Sequence, residues 1–418
     1  MRATLPRTGR PPADILDEMR GFKRDDVDWK RGRSPAFMFE ASAAITALGR
    51  DAFLEYFSEN ALGAGRAFAS VKRMETEVVE MALSLFQAPA EAAGFMTTGG
   101  TESLIQAVQT CRDYTRAARG EPRLAGNIVA PESVHPGFDK AARLMDLEVR
   151  RVPVAADFRA DPRAMEAAID DRTIMLIGSA PCYPFGVIDP IAELGALATR
   201  RGLWLHVDAC VGGYLAPFAR MIGRDIPAFD FSVPGVASLS ADLHKYGFCP
   251  KPASTVFYRT PEMARHHWFD FKDWPSGRFA TTTLVGTRPA GGVAGAWAVF
   301  QHLGVEGYKR VAADLLAFID AYKAGIRAIP GLSVVGEPPL GIVAYTAADV
   351  DIFRVAEAMA KQGWLPGLLR RPKAIHRMMS MPHAATMDAY LADLRAALAT
   401  VRTAADGAST LRAEYGGR

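Results

Sequence analysis

The chain has 418 residues, of which 49% are hydrophobic and 23% charged, a composition that excludes a disordered or fibrous protein. Its 49 basic and 46 acidic residues leave a net charge of +3, too small to predict binding to nucleic acid or to an anionic membrane. No run of about 18 apolar residues occurs, so no membrane span is expected. The four cysteines lack the spacing of a zinc site, and no metal site is predicted. Free thiols and the absence of a signal peptide favour a cytoplasmic protein.

Three segments are predicted along the chain: an N-terminal arm and helical segment over residues 1–60, a large domain over 61–304 and a small domain over 305–418. Residues 1–36 are polar apart from a short amphipathic stretch, ADILDEMRGF, and are expected to form an arm or a short helix and not a domain. Apolar residues then recur at helical spacing, most clearly in METEVVEMALSLF. The next segment, GFMTTGGTES, passes from a short apolar run through glycines into another helix.

Between residues 126 and 260, short apolar runs alternate with helical stretches. Six of these runs are predicted strands: NIVAP, EVRRVPV, TIMLIGSA, LWLHVDA, VASLSAD and STVFYR. Because their apolar residues are continuous, the strands are expected to be buried on both faces. The large domain is therefore predicted to be α/β, with helices around a mostly parallel sheet.

The small domain follows the glycine-rich stretch GTRPAGGVAG. It contains a long helical section, the apolar runs LSVVG and GIVAYT, and two further helical stretches, VDIFRVAEAMAKQG and MDAYLADLRAALATVRTA. This mixture is typical of a smaller α+β domain.

Three features of the large domain predict chemistry when they are taken together. In TTGGTES (97–103), glycines open a helix whose N-terminal N–H groups attract a phosphate, although an ordinary strand-to-helix turn has the same pattern. Asp208 ends an apolar strand, where a carboxylate either has a structural cation partner or holds a pyridine nitrogen protonated. Lys245 follows an apolar run in SADLHKYGF, and it is either a solvated surface lysine or a nucleophilic amine. In this order the three are the parts of a pyridoxal-phosphate site.

The sequence resembles the sphingosine-1-phosphate lyase family, within the group II pyridoxal-phosphate-dependent decarboxylase superfamily. The resemblance covers residues 7–402. It is centred on HVDACVGGYLAPF and SADLHKYGFCPKPASTVFYR, and it continues, in family order, through RMETEVVEMALSLF, GFMTTGGTES, VHPGFDKAARL, SAPCYPFGVIDP and TLVGTRPAGG. It implies a fold type I pyridoxal-phosphate-dependent transferase fold, a soluble bacterial-type enzyme and pyridoxal 5'-phosphate as the cofactor.

The resemblance implies a role for each residue that matches a family motif. Lys245 is implied to form the Schiff base with the cofactor, and Asp208 to pair with the pyridine nitrogen. His135, in ESVHPGFDK, is implied to stack on the cofactor ring. Gly100 and Thr101 are implied to bind the cofactor phosphate.

Two further parts of the phosphate site are implied by the same resemblance. His244 is expected close to the phosphate. Gly286 and Thr287 resemble a pair that reaches the phosphate from the neighbouring subunit, and Thr287 keeps the hydroxyl of the serine that the family usually has. The resemblance therefore implies a homodimer with shared active sites.

The substrate side both resembles the family and departs from it. Tyr183, in PCYPFG, is expected to place a phenol near the substrate. Lys251 resembles a second lysine that assists exchange with the substrate amine or binds an anionic group; a surface cation in a proline-flanked loop is the alternative. Met38 stands where the family has a tyrosine, and Gly63 where it has a histidine. Because a phenol and an imidazole are lost, recognition of the substrate is expected to differ.

The sequence therefore predicts a pyridoxal-phosphate-dependent carbon–carbon lyase that acts on a small-molecule amine, by retro-aldol cleavage next to a β-hydroxyl group. A group II amino-acid decarboxylase is the alternative, and it requires a carboxylate held perpendicular to the cofactor ring. A non-enzymatic binding protein is disfavoured, because Lys245, Asp208 and His135 are all present. Release of an aldehyde or of CO₂ distinguishes the two enzymes.

Overall fold

A seven-stranded sheet forms the centre of the large domain in the computed structural model, which describes residues 2–35, 37–404 and 407–414. Its strands are β1 (Ala93–Thr97), β2 (Asn127–Pro131), β3 (Glu148–Val152), β4 (Thr173–Ser179), β5 (Trp204–Asp208), β6 (Val236–Ala241) and β7 (Ser254–Tyr258). They lie in the order β1-β7-β6-β5-β4-β2-β3. All neighbouring pairs are parallel except those of β7, which is antiparallel to both β1 and β6. The predicted α/β class with a mostly parallel sheet is confirmed.

Helices cover both faces of this sheet and explain the continuous apolar runs. Along β4, Met175 and Ile177 pack in one core cluster and Leu176 packs in the other. The first cluster includes apolar residues of α4, and the second includes those of α7. The helices of the N-terminal segment and the large domain are α1 (Pro12–Phe22), α2 (Ala43–Glu55), α3 (Ala69–Leu85), α4 (Gly100–Arg119), α5 (Gly137–Met145), α6 (Pro162–Ala167), α7 (Ile191–Arg201), α8 (Ala216–Met221) and α9 (Pro261–Ala264).

The C-terminal part of the chain forms a second, antiparallel sheet. It is reached through α10 (Gly291–Arg327), which Gly304 interrupts with a φ of 54°. The strands β10 (Leu332–Val334), β11 (Ile342–Ala347), β12 (Gly367–Arg370) and β13 (Lys373–Met378) lie in the order β10-β11-β13-β12, with α11 (Ile352–Lys361) and α12 (Met387–Thr403) beside them. The expected α+β character is confirmed, although β12 and β13 were not predicted. The domain boundaries at residues 60 and 304 stay predictions.

The N-terminal arm lies against β13 and the residues that follow it. Arg377 Nη2 donates to the Gly32 carbonyl at 3.0 Å, and His383 Nε2 donates to the Ser34 carbonyl at 2.7 Å. The buried Arg377 guanidinium has no carboxylate partner among the described residues, and it lies 3.9 Å from the centre of the Tyr390 ring. An aromatic face at this distance stabilises a desolvated cation. The arm is thereby fixed to the small domain.

Two segments each expose a cluster of four large apolar side chains. One is α1, and the other is the hairpin of β8 (Phe269–Phe271) and β9 (Phe279–Thr281), which the sequence analysis did not predict. No helix of the described ranges is both long and apolar enough to cross a membrane. Clustered exposed apolar side chains are typical of interaction surfaces. Those of α1 and of the hairpin segment are Ile15, Leu16, Met19, Phe22, Trp268, Phe269, Phe271 and Trp274.

Asp189 fixes the loop that follows β4. One carboxylate oxygen accepts a hydrogen bond from the N–H of Ala160, and the other accepts one from the N–H of Ser179, both at 2.7 Å. The three residues are buried. The loop between Ser179 and Asp189 contains Tyr183, so this carboxylate supports a predicted site residue.

We expect Asp189→Asn to lower the free energy of unfolding by about 1–3 kcal/mol. An amide offers one acceptor oxygen where the carboxylate offers two, so a buried N–H loses its partner. Asp157→Asn is the control, because Asp157 is exposed and accepts from the N–H of Arg159 at the surface. Urea denaturation compares both variants with the native chain. Equal stability losses in the two variants would contradict the role of Asp189.

Candidate active site

One cavity collects most of the predicted site residues at a single edge of the large sheet. The residues follow or end the strands β1, β2, β4, β5 and β6, which run in the same direction, and ligands bind at this carboxyl edge of α/β sheets. The cavity has a volume of about 150 Å³. Seven of the ten predicted residues line it, namely Gly100, Thr101, His135, Tyr183, Asp208, His244 and Lys245. Lys251, Gly286 and Thr287 do not.

The N-terminus of α4 forms one end of the cavity. No side chain caps this helix, so its first N–H groups face outward without a side-chain partner. A Cβ atom on Gly100 would lie 2.8 Å from Asp242 Oδ2, so only glycine allows this close approach. An uncapped N-terminus of a 20-residue helix attracts an anionic group such as a phosphate.

Asp208 is a buried carboxylate at the end of β5. It is 7% exposed, and its Oδ1 accepts a hydrogen bond from the N–H of Cys210 at 3.1 Å. Among the described residues it has no ion-pair partner. A buried carboxylate is costly unless a cation compensates it, so the site fits a bound group with a protonated ring nitrogen.

His135 lies on the cavity wall as a neutral imidazole. Its Nδ1 accepts a hydrogen bond from the N–H of Gly137 at 3.0 Å, which places the ring proton on Nε2. Burial lowers the pKa of His135, although the nearby charge of Asp208 opposes that shift. A neutral aromatic ring in this position is suited to stacking on a flat ligand.

Lys245 is paired with a residue that the sequence analysis did not single out. Its Nζ lies 2.9 Å from Oδ2 of Asp242, which lines the same cavity and is 2% exposed. His244 donates from Nδ1 to the carbonyl of Ala253 and turns Nε2 toward Asp242, 3.8 Å away. The sequence does contain a signal for this pair, because Asp242 precedes Lys245 by three residues. Cys210 also lines the cavity and was likewise not predicted.

The Tyr183 side of the cavity is supported by the small domain. The ring of His376 lies 4.6 Å from the ring of Tyr183, and His376 Nε2 donates to the Tyr183 carbonyl at 2.8 Å. Burial lowers the pKa of His376 to about 4, so its imidazole is neutral near pH 7. His376 of β13 therefore helps to fix Tyr183, which the sequence predicts on the substrate side.

Lys251 and Met38 meet outside the cavity. The Nζ of Lys251 lies 3.7 Å from the sulfur of Met38. Lys251 is exposed as a residue, but partial desolvation of its amine lowers its pKa. Thus one position where the chain departs from the resembling family contacts the second predicted lysine.

Thr287 and Gly286 lie on a loop that is held to α4 within the same chain. The N–H of Leu284 donates to Glu102 Oε1 at 2.7 Å, and Asn60 Nδ2 donates to Thr287 Oγ1 at 3.2 Å. Thr287 is exposed and lies outside its own chain's cavity. The side chain of Thr287 therefore lies at the surface of the chain.

Known proteins match the chain over most of its length. The family described as "Pyridoxal-dependent decarboxylase conserved domain" matches residues 34–348. The sphingosine-1-phosphate lyase of Arabidopsis thaliana is 40% identical over 397 residues, which are 93% of this chain and 72% of the relative. A probable L-tyrosine/L-aspartate decarboxylase of Methanothrix thermoacetophila is 34% identical over 401 residues, 96% of this chain and 99% of the relative. The structure of a Burkholderia pseudomallei sphingosine-1-phosphate lyase superposes with a TM-score of 0.92 at 35% identity, covering 96% of this chain and 94% of the other.

Proposed function

The chain belongs to the pyridoxal-dependent decarboxylase family and is a pyridoxal-phosphate-dependent lyase, and from this premise we propose that it cleaves the Cα–Cβ bond of a small-molecule amine bearing a β-hydroxyl group. The observation that carries the proposal is the single cavity that combines Lys245, Asp208 and His135. A lysine, a buried carboxylate without a cation and a neutral ring are the groups that the cofactor requires.

When bound, pyridoxal phosphate supplies an aldehyde that captures amines and a ring that accepts the electron pair of a broken bond. In our proposal, the N-terminus of α4 with Gly100 and Thr101 binds the phosphate, and His244 lies beside it. Asp208 keeps the ring nitrogen protonated because its buried charge favours a cation there. His135 would stack on the ring and hold it in position. By keeping the ring nitrogen protonated, Asp208 would make the ring an effective electron acceptor.

Lys245 is the residue that would hold the cofactor, and the cofactor would supply the aldehyde carbon to which the substrate amine binds. Two groups are candidates to remove the β-hydroxyl proton. Tyr183 lies on the cavity wall, and Lys251 has a lowered pKa that increases the fraction of its neutral, basic amine. Loss of that proton releases an aldehyde as the Cα–Cβ bond breaks.

Reduction with borohydride in the presence of pyridoxal phosphate is expected to label Lys245. The reason is that Lys245 lies inside the cavity, whereas Lys251 lies outside it. Peptide mapping by mass spectrometry identifies the labelled lysine. Lys251→Ala is the matched control and should keep the label, whereas Lys245→Ala should lose it. A label on another lysine would contradict the assignment.

The active unit is proposed to be a cytoplasmic homodimer with shared sites. Support comes from the exposed hydroxyl of Thr287, which lies outside its own cavity, and from the exposed apolar side chains of α1 and of the β8–β9 hairpin segment. A second copy of the chain would cover these surfaces. For the compartment, support comes from the four cysteines, all free thiols.

A hybrid dimer of Lys245→Ala and Thr287→Ala chains is expected to regain activity. In that dimer, the site with an intact Lys245 receives an intact Thr287 from the other chain. Differently tagged chains allow the hybrid to be isolated, and both parental homodimers serve as controls at equal concentration. No recovery in the isolated hybrid would show that Thr287 does not serve the neighbouring site.

The substrate is proposed to be an amine other than sphingosine 1-phosphate. Met38 and Gly63 replace a tyrosine and a histidine of the resembling lyases, and both replacements remove hydrogen-bonding groups. A side chain at position 63 would also meet Phe68, because a Cβ there lies 3.2 Å from Phe68 Cε2. If both positions lie on the substrate side, as we propose, the loss of the two polar groups fits an amine without a phosphate.

We expect cleavage of sphingosine 1-phosphate to be slower than in the resembling lyases by about a hundredfold to several-thousandfold, from two lost hydrogen bonds to a charged group. Two products are measured with cofactor-loaded protein. Aldehyde release is measured with sphingosine 1-phosphate and with other amino alcohols, and CO₂ release is measured with amino acids. Aldehyde from another β-hydroxy amine supports the proposal. CO₂ alone would instead support the decarboxylase alternative, which the archaeal relative favours. Efficient cleavage of sphingosine 1-phosphate would refute the altered specificity.

A further inference from the structure

Asp242 is a buried carboxylate that directly contacts the proposed cofactor lysine. Its side chain is 1% exposed, that of Lys245 is 17% exposed, and the two are joined by an ion pair of 2.9 Å. The comparisons and the sequence motifs assign no role to Asp242. Because Asp242 lies next to Lys245 Nζ, its charge affects the protonation of this nitrogen, which is the atom that must react.

A chain of buried hydroxyl groups orients this carboxylate. Ser254 Oγ donates to Asp242 Oδ1 at 2.5 Å, Ser103 lies 2.9 Å from Ser254, and Thr97 lies 2.6 Å from Ser103. Each hydroxyl has one proton to donate, and Ser254 gives its proton to the carboxylate. Ser103 therefore donates to Ser254, and Thr97 donates to Ser103. All donors point toward Asp242, which suits a carboxylate that is ionised and held in place.

The surrounding charges keep Asp242 ionised in spite of its burial. Burial raises its pKa, but Lys245, His244 and the hydrogen bond from Ser254 together lower it below the ordinary value of an aspartate. The ionised carboxylate in turn favours the ammonium form of its partner lysine. The other titratable groups that line the cavity are His135, Tyr183, Asp208, Cys210 and His244.

We propose that Asp242 holds Lys245 as an ammonium ion and thereby sets the pH above which this lysine captures the aldehyde cofactor. The inference rests on the proposed function, because it takes Lys245 to be the lysine that binds the cofactor. An ammonium nitrogen has no lone pair, so it must first lose a proton to solvent. The neutral amine then attacks the aldehyde carbon, one C=N bond replaces the C=O bond, and the oxygen leaves as water. Asp242 opposes the first of these steps.

The test measures the initial rate at which Lys245 becomes attached to pyridoxal phosphate as a function of pH. Attachment is trapped with borohydride and counted by mass spectrometry on protein freed of cofactor. In Asp242→Asn the midpoint of the rate profile is expected to fall by about one to three pH units, because the ammonium loses its anion. An unchanged midpoint would overturn the inference.

Ser254→Ala is the matched control, since it removes a contact of Asp242 but keeps the carboxylate beside the lysine. Its midpoint is expected to stay close to the native value. An equal shift in both variants would show that the disturbed geometry, and not the charge, is responsible, and would overturn the inference. Thermal unfolding checks that both variants fold.

A measurement on the native chain keeps the inference testable if Asp242→Asn does not fold. A small amine-acylating reagent is applied over a range of pH, and acylation of Lys245 and of Lys251 is counted. Lys251 has no carboxylate partner among the described residues, so the midpoint for Lys245 is expected at higher pH. The reverse order would overturn the inference.

Failure of the proposed function and failure of the role of Asp242 give different results. If the native chain attaches no cofactor at any pH, the proposed function is wrong. If it attaches cofactor at Lys245 but the Asp242→Asn midpoint does not move, the proposed function stands and only the role of Asp242 is wrong.

Discussion

The side chains of Asp208, Asp242 and Lys245 are largely buried at the carboxyl edge of the large sheet, and a buried charge is costly unless an opposite charge lies close to it. Lys245 and Asp242 compensate each other. Asp208 has a single hydrogen bond from a backbone N–H and no cation among the described residues. In our proposal, the protonated pyridine nitrogen of the cofactor is the cation that pairs with Asp208.

The direction of the strands brings these charged residues close together. Parallel strands deliver the residues that follow them to one edge, and this edge is closed by the N-terminus of α4, whose dipole adds a positive potential. The same hydroxyl chain that orients Asp242 connects β1, α4 and β7. A displacement of any of these elements would move Asp242 and disturb Lys245. The geometry of the site therefore depends on the packing of the large domain.

Much of this could be predicted from the sequence, because strands buried on both faces leave continuous apolar runs. The runs for β2 and for β4 to β7 are the clearest signals of the chain, whereas β3 is a half-exposed edge strand that contains two arginines. β13 was missed because its sequence, KAIHRM, contains His376 and Arg377, which are buried through partners distant in sequence. Lys245 and Asp208 were predicted by motif, and both line one cavity. Asp242 was missed because an aspartate at the end of a strand looks like an ordinary turn residue until the lysine is placed against it.

The arm has a consequence for how specificity can change. It is tied to the small domain through the backbone carbonyls of Gly32 and Ser34 and through Arg33, whose guanidinium lies 3.9 Å from the centre of the Trp364 ring. Met38 is brought to Lys251 by this same arm, far in sequence from the residues that line the cofactor cavity. A substitution at Met38 would therefore change the surroundings of Lys251 while leaving the residues that line the cofactor cavity unchanged. In our proposal, part of the recognition of the substrate can vary in this way without a change in the residues that bind the cofactor.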